Sequence, residues 1–447
     1  MKTSISKLLQ TFIFYKLKPP AACKFLLLIT LFFLINLSSS FAQTFPAGFS
    51  QVQVTNGLSN PTVLASAPDG RIFVAEQGGK LRIIKNSVLL PVPLVQLNVN
   101  ASGERGLIGI TLDPNFTTNK YIYLYYTVPT GTIHNRVSRF TVTGDVTLAS
   151  SEKIILELDP LSGATNHNGG AMQFGKDGKL YIAVGENANR ANAQNLDTYH
   201  GKILRINADG SVPAGNPFTT GSEQRKRIWS YGLRNPYTFN FQPGTGRLFV
   251  NDVGEVTWEE INDATASGLN FGWPESEGLN NNTAHQNPVY TYRHGAGDGF
   301  GCAITGGVFF NPATSNYPAS YTGKYFYQDL CNNWINFIDV SSSPAVRASF
   351  ATGLPGQSLS LSVGNDGNLY YLSRNNSALY KIIYTTNIAP VITGRSTWQL
   401  KSFSGAAGHL SRECLGHGSS PLSVAKKQRQ HCRRDGCCLY HIQHNCG

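Results

Sequence analysis

The sequence lacks the patterns that mark helical and nucleic-acid-binding proteins. No amphipathic helical period lasts for a dozen residues anywhere between 43 and 385, which argues against a helical fold. Charged residues make up only 14% of the chain, and residues 43–394 contain 24 Lys and Arg against 24 Asp and Glu. Because this neutral body lacks the basic surface on which phosphate binding depends, we expect no nucleic-acid partner.

The net charge of +11 arises instead at the two ends of the chain. Residues 1–42 contain five lysines and no acid, then an apolar run over 25–35 and small residues that end at Ala42. This order predicts a signal peptide, and therefore a secreted or periplasmic protein with no membrane span after processing. A membrane anchor is the alternative, but a spanning helix needs roughly 20 apolar residues.

The C-terminal end is also basic. Residues 386–394 contain Pro390 and read as a linker. Residues 395–447 hold eight basic and two acidic side chains, five of the eight cysteines and no hydrophobic alternation. They indicate a disordered or frame-shifted tail that is rich in Cys and His. A zinc cluster is the alternative, although the spacing matches no standard finger.

Cysteine is scarce in the body of the chain, where only Cys302 and Cys331 occur. In an exported protein these two residues predict a disulfide that closes a loop of about 30 residues. Two buried free thiols are the alternative.

One strand pattern recurs through the body: a tight turn, usually Asp-Gly, precedes a run of β-branched and aromatic residues. The copies begin at Ile72, Leu180, Leu248 and Leu369. The turns at Asp69 and Asp177 lie 108 residues apart, which fits two repeats of roughly 45–60 residues. Residues 43–385 therefore predict an all-β fold, a six-bladed β-propeller with four-stranded antiparallel blades. A pair of β-sandwiches is the alternative, but it does not explain the recurrence.

The repeated strands differ in the residues at their ends, which carry Glu76, Glu186 and the pair Gly254-Glu255. His167 lies in the sequence Asn-His-Asn-Gly-Gly just before the strand that leads to Glu186. Glu186 could therefore meet His167 at one mouth of the channel, fix its tautomer and raise its basicity. A surface histidine with an unrelated glutamate is the alternative.

Three further segments carry polar groups suited to ligand binding. Arg234 and Asn235 precede Pro236, which favours extended backbone and presents two neighbouring donors. The acid-rich turn around Gly254 and Glu255 offers the oxygen ligands that calcium prefers. Glu104 lies just before a predicted strand.

Taken together, these segments resemble a known family, the soluble PQQ-dependent sugar dehydrogenases, or glucose/sorbosone dehydrogenases, which are six-bladed propellers. The resemblance covers nearly all of residues 45–385 and rests on five motifs in the same order. They are Gly-Glu-Arg-Gly-Leu-Ile-Gly at 103–109, Asn-His-Asn-Gly-Gly at 166–170, Gly-Leu-Arg-Asn-Pro at 232–236, Asp-Val-Gly-Glu at 252–255 and Gly-Leu-Asn-Phe-Gly-Trp-Pro at 268–274.

The resemblance implies oxidation of the anomeric C1 hydroxyl of an aldose to the lactone. His167 would be the general base that takes the hydroxyl proton while hydride leaves C1 for the quinone, PQQ. Glu186 would orient His167, and Glu104 would contact the sugar. A soluble electron acceptor would reoxidise the cofactor.

The resemblance also implies a cofactor site. Arg234 and Asn235 would polarise the quinone carbonyl that receives the hydride. A calcium ion, held partly by the backbone carbonyls of Gly254 and Glu255, would act there as a Lewis acid.

The chain departs from the family at the carboxylates of PQQ, which a lysine and two arginines bind in characterised members. Here Cys331 stands roughly where the lysine is expected, and residues 356–361 contain no base. Two other functions therefore stay open. One is a non-catalytic extracellular binding or adhesion module that resembles the hedgehog-interacting type and shares the Cys302–Cys331 pairing. The other is a calcium-dependent propeller lactonase.

Overall fold

Short strands between tight turns build the whole described structure. The computed structural model describes residues 43–385, so the predictions for 1–42, 386–394 and 395–447 lie outside the described residues. Gly70, Gly178 and Gly367 have positive φ values at the turns before three of the repeated strands, a conformation that glycine adopts without a Cβ clash. The turn chemistry predicted from the sequence is therefore present.

The strands form six antiparallel sheets, the blades of the propeller, and each blade is numbered in chain order. The first strand, β1 (Phe49–Thr55), belongs to the last blade. Blade 1 contains β2 (Pro61–Ser66), β3 (Ile72–Glu76), β4 (Lys80–Lys85), β5 (Val88–Leu89) and β6 (Val95–Gln96). Blade 2 contains β7 (Leu107–Leu112), β8 (Tyr121–Val128), β9 (His134–Thr143), β10 (Val146–Thr147) and β11 (Lys153–Pro160). Blade 3 contains β12 (Met172–Phe174), β13 (Leu180–Val184), β14 (Lys202–Ile206) and β15 (Ile228–Tyr231).

The remaining blades follow the same plan. Blade 4 contains β16 (Pro236–Phe241), β17 (Leu248–Asp252), β18 (Trp258–Asp263) and β19 (Tyr290–Arg293). Blade 5 contains β20 (Ile304–Phe309), β21 (Tyr325–Asp329), β22 (Trp334–Asp339) and β23 (Val346–Ala351). Blade 6 contains β24 (Ser358–Val363), β25 (Leu369–Ser373), β26 (Ala378–Tyr384) and β1.

The ring is closed by the N-terminal strand. β1 pairs with β26 from Phe49 opposite Tyr384 to Thr55 opposite Leu379. This pairing ties the two ends of the described chain together and covers the edge that β26 would otherwise expose. The structure confirms the six-bladed propeller and rules out the pair of β-sandwiches.

The repeated strands predicted from the sequence are the second strands of their blades, namely β3, β13, β17 and β25. β8 and β21 occupy the same place in blades 2 and 5, so the spacing of 108 residues does span two blades. β13, β17, β21 and β25 are buried along their whole length. Neighbouring blades cover both faces of these strands, which explains apolar runs in place of alternation.

The apolar side chains form six clusters, and each cluster lies between two neighbouring blades. Phe73 of blade 1 and Leu124 of blade 2 share one cluster, and Phe326 of blade 5 and Tyr371 of blade 6 share another. The apolar contacts therefore join blade to blade around a central channel.

Within residues 43–385 the helices are few and short. They are α1 (Phe116–Asn119), α2 (Ala191–Gln194) and α3 (Glu223–Arg227), with 3₁₀ turns at Ala149–Ser151 and Ala319–Tyr321. None of the helices within residues 43–385 is long and apolar enough to cross a membrane.

The first strands of five blades carry an irregularity at the same place. The register against the second strand shifts near the beginning of β2, β7, β16, β20 and β24. The residues left unpaired by these β-bulges are Thr62, Ile108, Tyr237, Thr305 and Ser360. Bulges redirect side chains next to active sites. Here four of them, all but Ser360, line a pocket at the mouth of the channel where the first strands begin and the second strands end.

Candidate active site

A cavity of about 270 Å³ lies at this mouth. Four of its lining residues are bulge residues: Thr62, Ile108, Tyr237 and Thr305. Four others directly follow the second strand of a blade: Gln77, Val253, Leu330 and Arg374. The rest of the lining consists of Gly103, Glu104, Gly169, Asn235, Ala303, Gln357 and Leu359. The propeller therefore builds this pocket from equivalent positions in successive blades.

His167 and Glu186 meet beside the pocket, as the sequence predicted. The Nδ1 atom of His167 lies 2.5 Å from Oε1 of Glu186, and the Glu186 side chain is only 1% exposed. A carboxylate accepts a hydrogen bond, so Nδ1 carries the proton and Nε2 keeps its lone pair. Nε2 makes no hydrogen bond to any residue among 43–385, and the His167 side chain remains 10% exposed. The pair is arranged as a general base with its orienting carboxylate.

The backbone of His167 is held in an unusual conformation. Its φ is +55°, a region that residues other than glycine rarely occupy. Its N–H donates to Oε2 of Glu104 over 2.7 Å, and its carbonyl accepts from the N–H of Asn187. Local strain of this kind clusters at functional sites, where the surroundings enforce it. Glu104 thus supports His167 from the pocket wall, and its other oxygen, Oε1, accepts no hydrogen bond from a described residue.

Arg234 and Asn235 are held by a carboxylate that the sequence analysis did not single out. Asp252, 4% exposed, accepts the backbone N–H of Arg234 at 2.9 Å and that of Asn235 at 2.7 Å. Burial raises the pKa of Asp252 to about 7. The Arg234 carbonyl in turn accepts the N–H of Glu186 over 2.8 Å. One network of hydrogen bonds therefore joins the His167 half of the site to the Arg234–Asn235 half.

The side chains of this pair have donors left for a ligand. Nη1 of Arg234 donates to the carbonyls of Val253 and Gly254, at 3.0 and 2.7 Å, while Nη2 has no partner among the described residues. The guanidinium also lies 5.7 Å from the centre of the Trp273 ring. Nδ2 of Asn235 makes only a long contact, 3.5 Å, to Glu104. Asn235 lines the pocket and Arg234 does not, but both side chains keep donors that a bound ligand could use.

The calcium ligands expected from the sequence are only partly available. The Gly254 carbonyl already accepts from Arg234, which leaves one lone pair. The Glu255 side chain pairs with Arg190, and its N–H donates to Oε1 of Glu277 at 2.7 Å. Calcium takes six to eight oxygen ligands. Two backbone carbonyls can therefore hold calcium only if oxygen atoms of the bound ligand and of water supply the remaining coordination positions.

The donor set fits PQQ at one end better than at the other. The donors of Arg234 and Asn235 suit a quinone oxygen. Next to Cys331 and within 356–361, the two stretches where the resemblance implies bases, the residues that line the pocket are Leu330, Gln357 and Leu359. Arg374 is the one cationic side chain in the lining. The site therefore fits the redox end of the quinone and offers a single guanidinium to its carboxylates.

Cys302 and Cys331 form the predicted disulfide, with their Cα atoms 5.8 Å apart. Asp329, fully buried, accepts the N–H groups of Cys302 and Cys331 and the hydroxyl of Tyr292. Ala303 follows the first cysteine and Leu330 precedes the second, and both line the pocket. The disulfide and the carboxylate thus fix one wall of the pocket. The alternative of two free thiols is wrong.

Removing this disulfide is expected to destabilise the propeller by about 3 kcal/mol, since the bridge closes a loop of about 30 residues in the unfolded chain. The test is the free energy of unfolding in urea for the double variant Cys302→Ser, Cys331→Ser. Wild-type protein unfolded with a reductant should give the same value as the variant. A loss below about 1 kcal/mol would mean that Asp329 holds the loop without the disulfide.

Sequence reasoning missed Asp252, Gln77 and Arg374 as site residues. Asp252 begins the Asp-Val-Gly-Glu motif, and the sequence suggests only a calcium site for that acid-rich turn. Gln77 and Arg374 each come directly after a repeated strand, so the position next to the repeat would have been the signal. Glu76, which the sequence suggested for the channel mouth, accepts instead from Arg82 and the Ser59 N–H. Gln77 lines the pocket in its place.

Comparison with known proteins identifies the family of this chain. The family "Glucose / Sorbosone dehydrogenase" matches residues 58–381. The aldose sugar dehydrogenase YliI of Escherichia coli is 29% identical over 366 residues, 77% of this chain and 96% of that protein. Quinoprotein glucose dehydrogenase B of Acinetobacter calcoaceticus is 28% identical, over 57% of this chain and 58% of that protein. The PQQ-bound aldose sugar dehydrogenase of Streptomyces coelicolor superposes with a TM-score of 0.63 at 25% identity, covering 76% of this chain and 99% of that structure. Because the family matches most of the chain, this protein belongs to the glucose/sorbosone dehydrogenase family.

Proposed function

We propose that the protein oxidises the anomeric C1 hydroxyl of an aldose or a related sugar to the lactone, with PQQ as hydride acceptor and calcium as a Lewis acid. The observation that carries this proposal is the pair of His167 and Glu186 beside the channel-mouth pocket. Relatives that are aldose sugar dehydrogenases, and a PQQ-bound member of the family, support it.

His167 acts as the base. Its Nε2 lone pair takes the proton of the C1 hydroxyl, and the imidazolium that forms is stabilised by the Glu186 carboxylate at Nδ1. Because Glu186 is buried and also donates its N–H to the Arg234 carbonyl, the histidine has one orientation and one tautomer. The Oε1 atom of Glu104, in the pocket wall, accepts a hydrogen bond from a sugar hydroxyl.

Arg234 and Asn235 bind the quinone oxygen on which negative charge develops. PQQ, when bound, supplies the two-electron acceptor that takes the hydride from C1. The protein contributes fixed donors: Asp252 holds both backbone N–H groups, and the carbonyls of Val253 and Gly254 anchor the guanidinium. Donors fixed in advance stabilise developing charge without reorganising during the reaction.

Reconstitution tests the proposal. The purified protein is mixed with PQQ and Ca²⁺, and reduction of a dye acceptor is followed across a panel of aldoses. We expect sugar-dependent turnover that requires both PQQ and Ca²⁺, with the aldonolactone as product. Failure to bind PQQ at micromolar concentration would overturn the proposal.

A non-catalytic binding module is the second candidate, and one observation favours it. The stretches around Cys331 and over 356–361, where the resemblance implies cations, contribute only the neutral side chains of Leu330, Gln357 and Leu359 to the pocket, which weakens the binding of an anionic cofactor. Sugar binding without PQQ binding in the same reconstitution would favour this candidate. Metal-dependent hydrolysis of lactones without PQQ would favour the calcium-dependent lactonase instead.

We further propose that residues 1–42 are a signal peptide and that the propeller acts outside the cytoplasm, where a soluble electron acceptor reoxidises the cofactor. The five lysines and the apolar run support this proposal. The Cys302–Cys331 disulfide agrees with an oxidising compartment. The mass of the mature protein is expected to show cleavage after Ala42, and an uncleaved N-terminus would contradict it.

A further inference from the structure

Arg374 is a cation in the pocket that the family resemblance does not imply. It directly follows β25, the second strand of blade 6, in the position that Gln77, Val253 and Leu330 occupy in blades 1, 4 and 5. Its backbone N–H donates to the Gln357 carbonyl over 3.0 Å, which fixes its place at the mouth. The fold thus directs this side chain into the pocket.

The charge of Arg374 is not neutralised by the protein. Its Nη2 donates to Oε1 of Gln77, and its Nη1 makes a long contact, 3.5 Å, to the Asn60 carbonyl. It forms no ion pair with a carboxylate in the part of the chain that the structure describes. Gln77 is itself held by donating Nε2 to the carbonyls of Gly103 and Arg105, at 2.6 and 2.8 Å. A neutral, well-anchored amide therefore orients the guanidinium and leaves its charge for a ligand.

The charge also acts within the pocket. Burial raises the pKa of Tyr237 to about 12, and the charge of Glu104 raises this pKa while that of Arg374 lowers it. Both charges therefore lie near the Tyr237 hydroxyl group. In a ring of six blades, blade 6 lies opposite blade 3, which presents Glu186. Arg374 and the base pair thus approach the pocket from opposite sides.

We propose that Arg374 binds a carboxylate of the quinone cofactor and replaces, from blade 6, the bases that the chain lacks. The inference rests on the proposed function. A guanidinium has five N–H donors in a planar fork that matches a carboxylate, and Gln77 uses only one of them. A flat ligand whose quinone oxygen meets Asn235 on blade 4 could reach Arg374 with a carboxylate at its far side. Leu330 of blade 5, together with Gln357 and Leu359 at the start of blade 6, forms a neutral wall of the pocket and offers no competing cation.

The test is direct binding of PQQ, measured in the presence of Ca²⁺ by equilibrium dialysis. Arg374→Gln is expected to weaken binding about 10- to 100-fold, the loss typical of a hydrogen bond to a charged group. Arg374→Lys keeps the charge but not the planar fork of donors, so its affinity for PQQ should lie between those of wild type and Arg374→Gln. Arg347→Gln is the matched control, because Arg347 pairs with Asp298 on the outer side of blade 5 and should leave binding unchanged.

A neutral ligand shows whether Arg374 acts through its charge. The trimethyl ester of PQQ has no carboxylate, so wild type and Arg374→Gln should bind it equally. A variant that binds the ester as poorly as it binds PQQ would show that Arg374 acts only by holding Gln77, and the inference would be wrong.

The two proposals fail in different ways. Equal affinity of wild type and Arg374→Gln for PQQ overturns the role of Arg374 and leaves the proposed function standing. In that case, a substitution that raises the KM for glucuronate above the wild-type value but leaves the KM for glucose unchanged would show that the arginine recognises an acidic sugar instead. A wild type that does not bind PQQ overturns the proposed function, and the role of Arg374 with it. If Arg374→Gln does not fold, full wild-type affinity of Arg374→Lys at high and low salt is the result that contradicts the inference.

Discussion

Replacing His167 by glutamine is expected to lower the turnover number of the reconstituted protein about 1,000-fold, within the range that general base catalysis contributes. Glutamine keeps a polar group of similar size in the pocket wall, but its amide cannot take up the proton of the C1 hydroxyl. The KM for the sugar should change little, because the lost contact matters when the proton moves. Initial rates of dye reduction at saturating PQQ and Ca²⁺ measure both constants.

The chain provides a matched control for this variant. His134 also forms a hydrogen bond to a glutamate, Nε2 to Oε2 of Glu157 at 2.7 Å, but on the outer face of blade 2. His134→Gln should leave turnover within twofold of wild type. In His167→Ala, added imidazole should restore part of the activity. A His167→Gln protein that retains a tenth of wild-type turnover would show that another group takes the proton.

The blade architecture could be predicted because one strand pattern recurs several times in the sequence. The copies at Ile72, Leu180, Leu248 and Leu369 are the second strands of blades 1, 3, 4 and 6, and their burial on both faces keeps them apolar and recognisable. The copy at Tyr325 was missed, because Gly323 precedes it without the Asp-Gly turn. The outer strands vary because one side of each faces solvent.

The β-bulges could not be predicted, and they decide which side chains enter the pocket. A bulge shifts the register by one residue, so that Thr62, Ile108 and Tyr237 point where strict alternation would not send them. No residue type in these segments signals the shift. Which side chains line the pocket therefore depends on how the strands pair, and the sequence pattern does not predict that pairing.

The contact between His167 and Glu186 was predictable because the two residues lie close together in the sequence. His167 precedes and Glu186 follows the hairpin of β12 and β13 in blade 3, so their meeting follows from the hairpin geometry. The contact between Gln77 and Arg374 joins residues 297 positions apart. It exists only because β1 closes the ring and brings blade 6 beside blade 1. Short sequence motifs cannot predict a contact between residues so far apart in the chain.

Replacing Gly185 by alanine is expected to lower turnover at least 100-fold and to destabilise the protein by about 1–3 kcal/mol. A Cβ at this position would lie 2.2 Å from the His167 carbonyl oxygen and 2.9 Å from Oδ1 of Asn235. The first of these atoms is backbone, so it cannot move aside as a side chain would. His167 is already held at a positive φ, and displacing its carbonyl would shift the ring away from Glu186. One methyl group would thus disturb His167, the proposed base, and the side-chain amide of Asn235 together.

Gly163→Ala is the control for this variant, because Gly163 lies in the loop that leads to His167 but has no atom within 4 Å of an added Cβ. Neither glycine has a φ in the left-handed region, so the two variants differ in contact rather than in backbone freedom. Turnover and the urea midpoint of Gly163→Ala should match those of wild type. Wild-type turnover in Gly185→Ala would mean that the His167 loop can yield by more than an ångström without losing its chemistry. The left-handed His167, the Glu104 contact and the Glu186 pair all argue that it cannot, because each depends on where that one carbonyl and its ring are held.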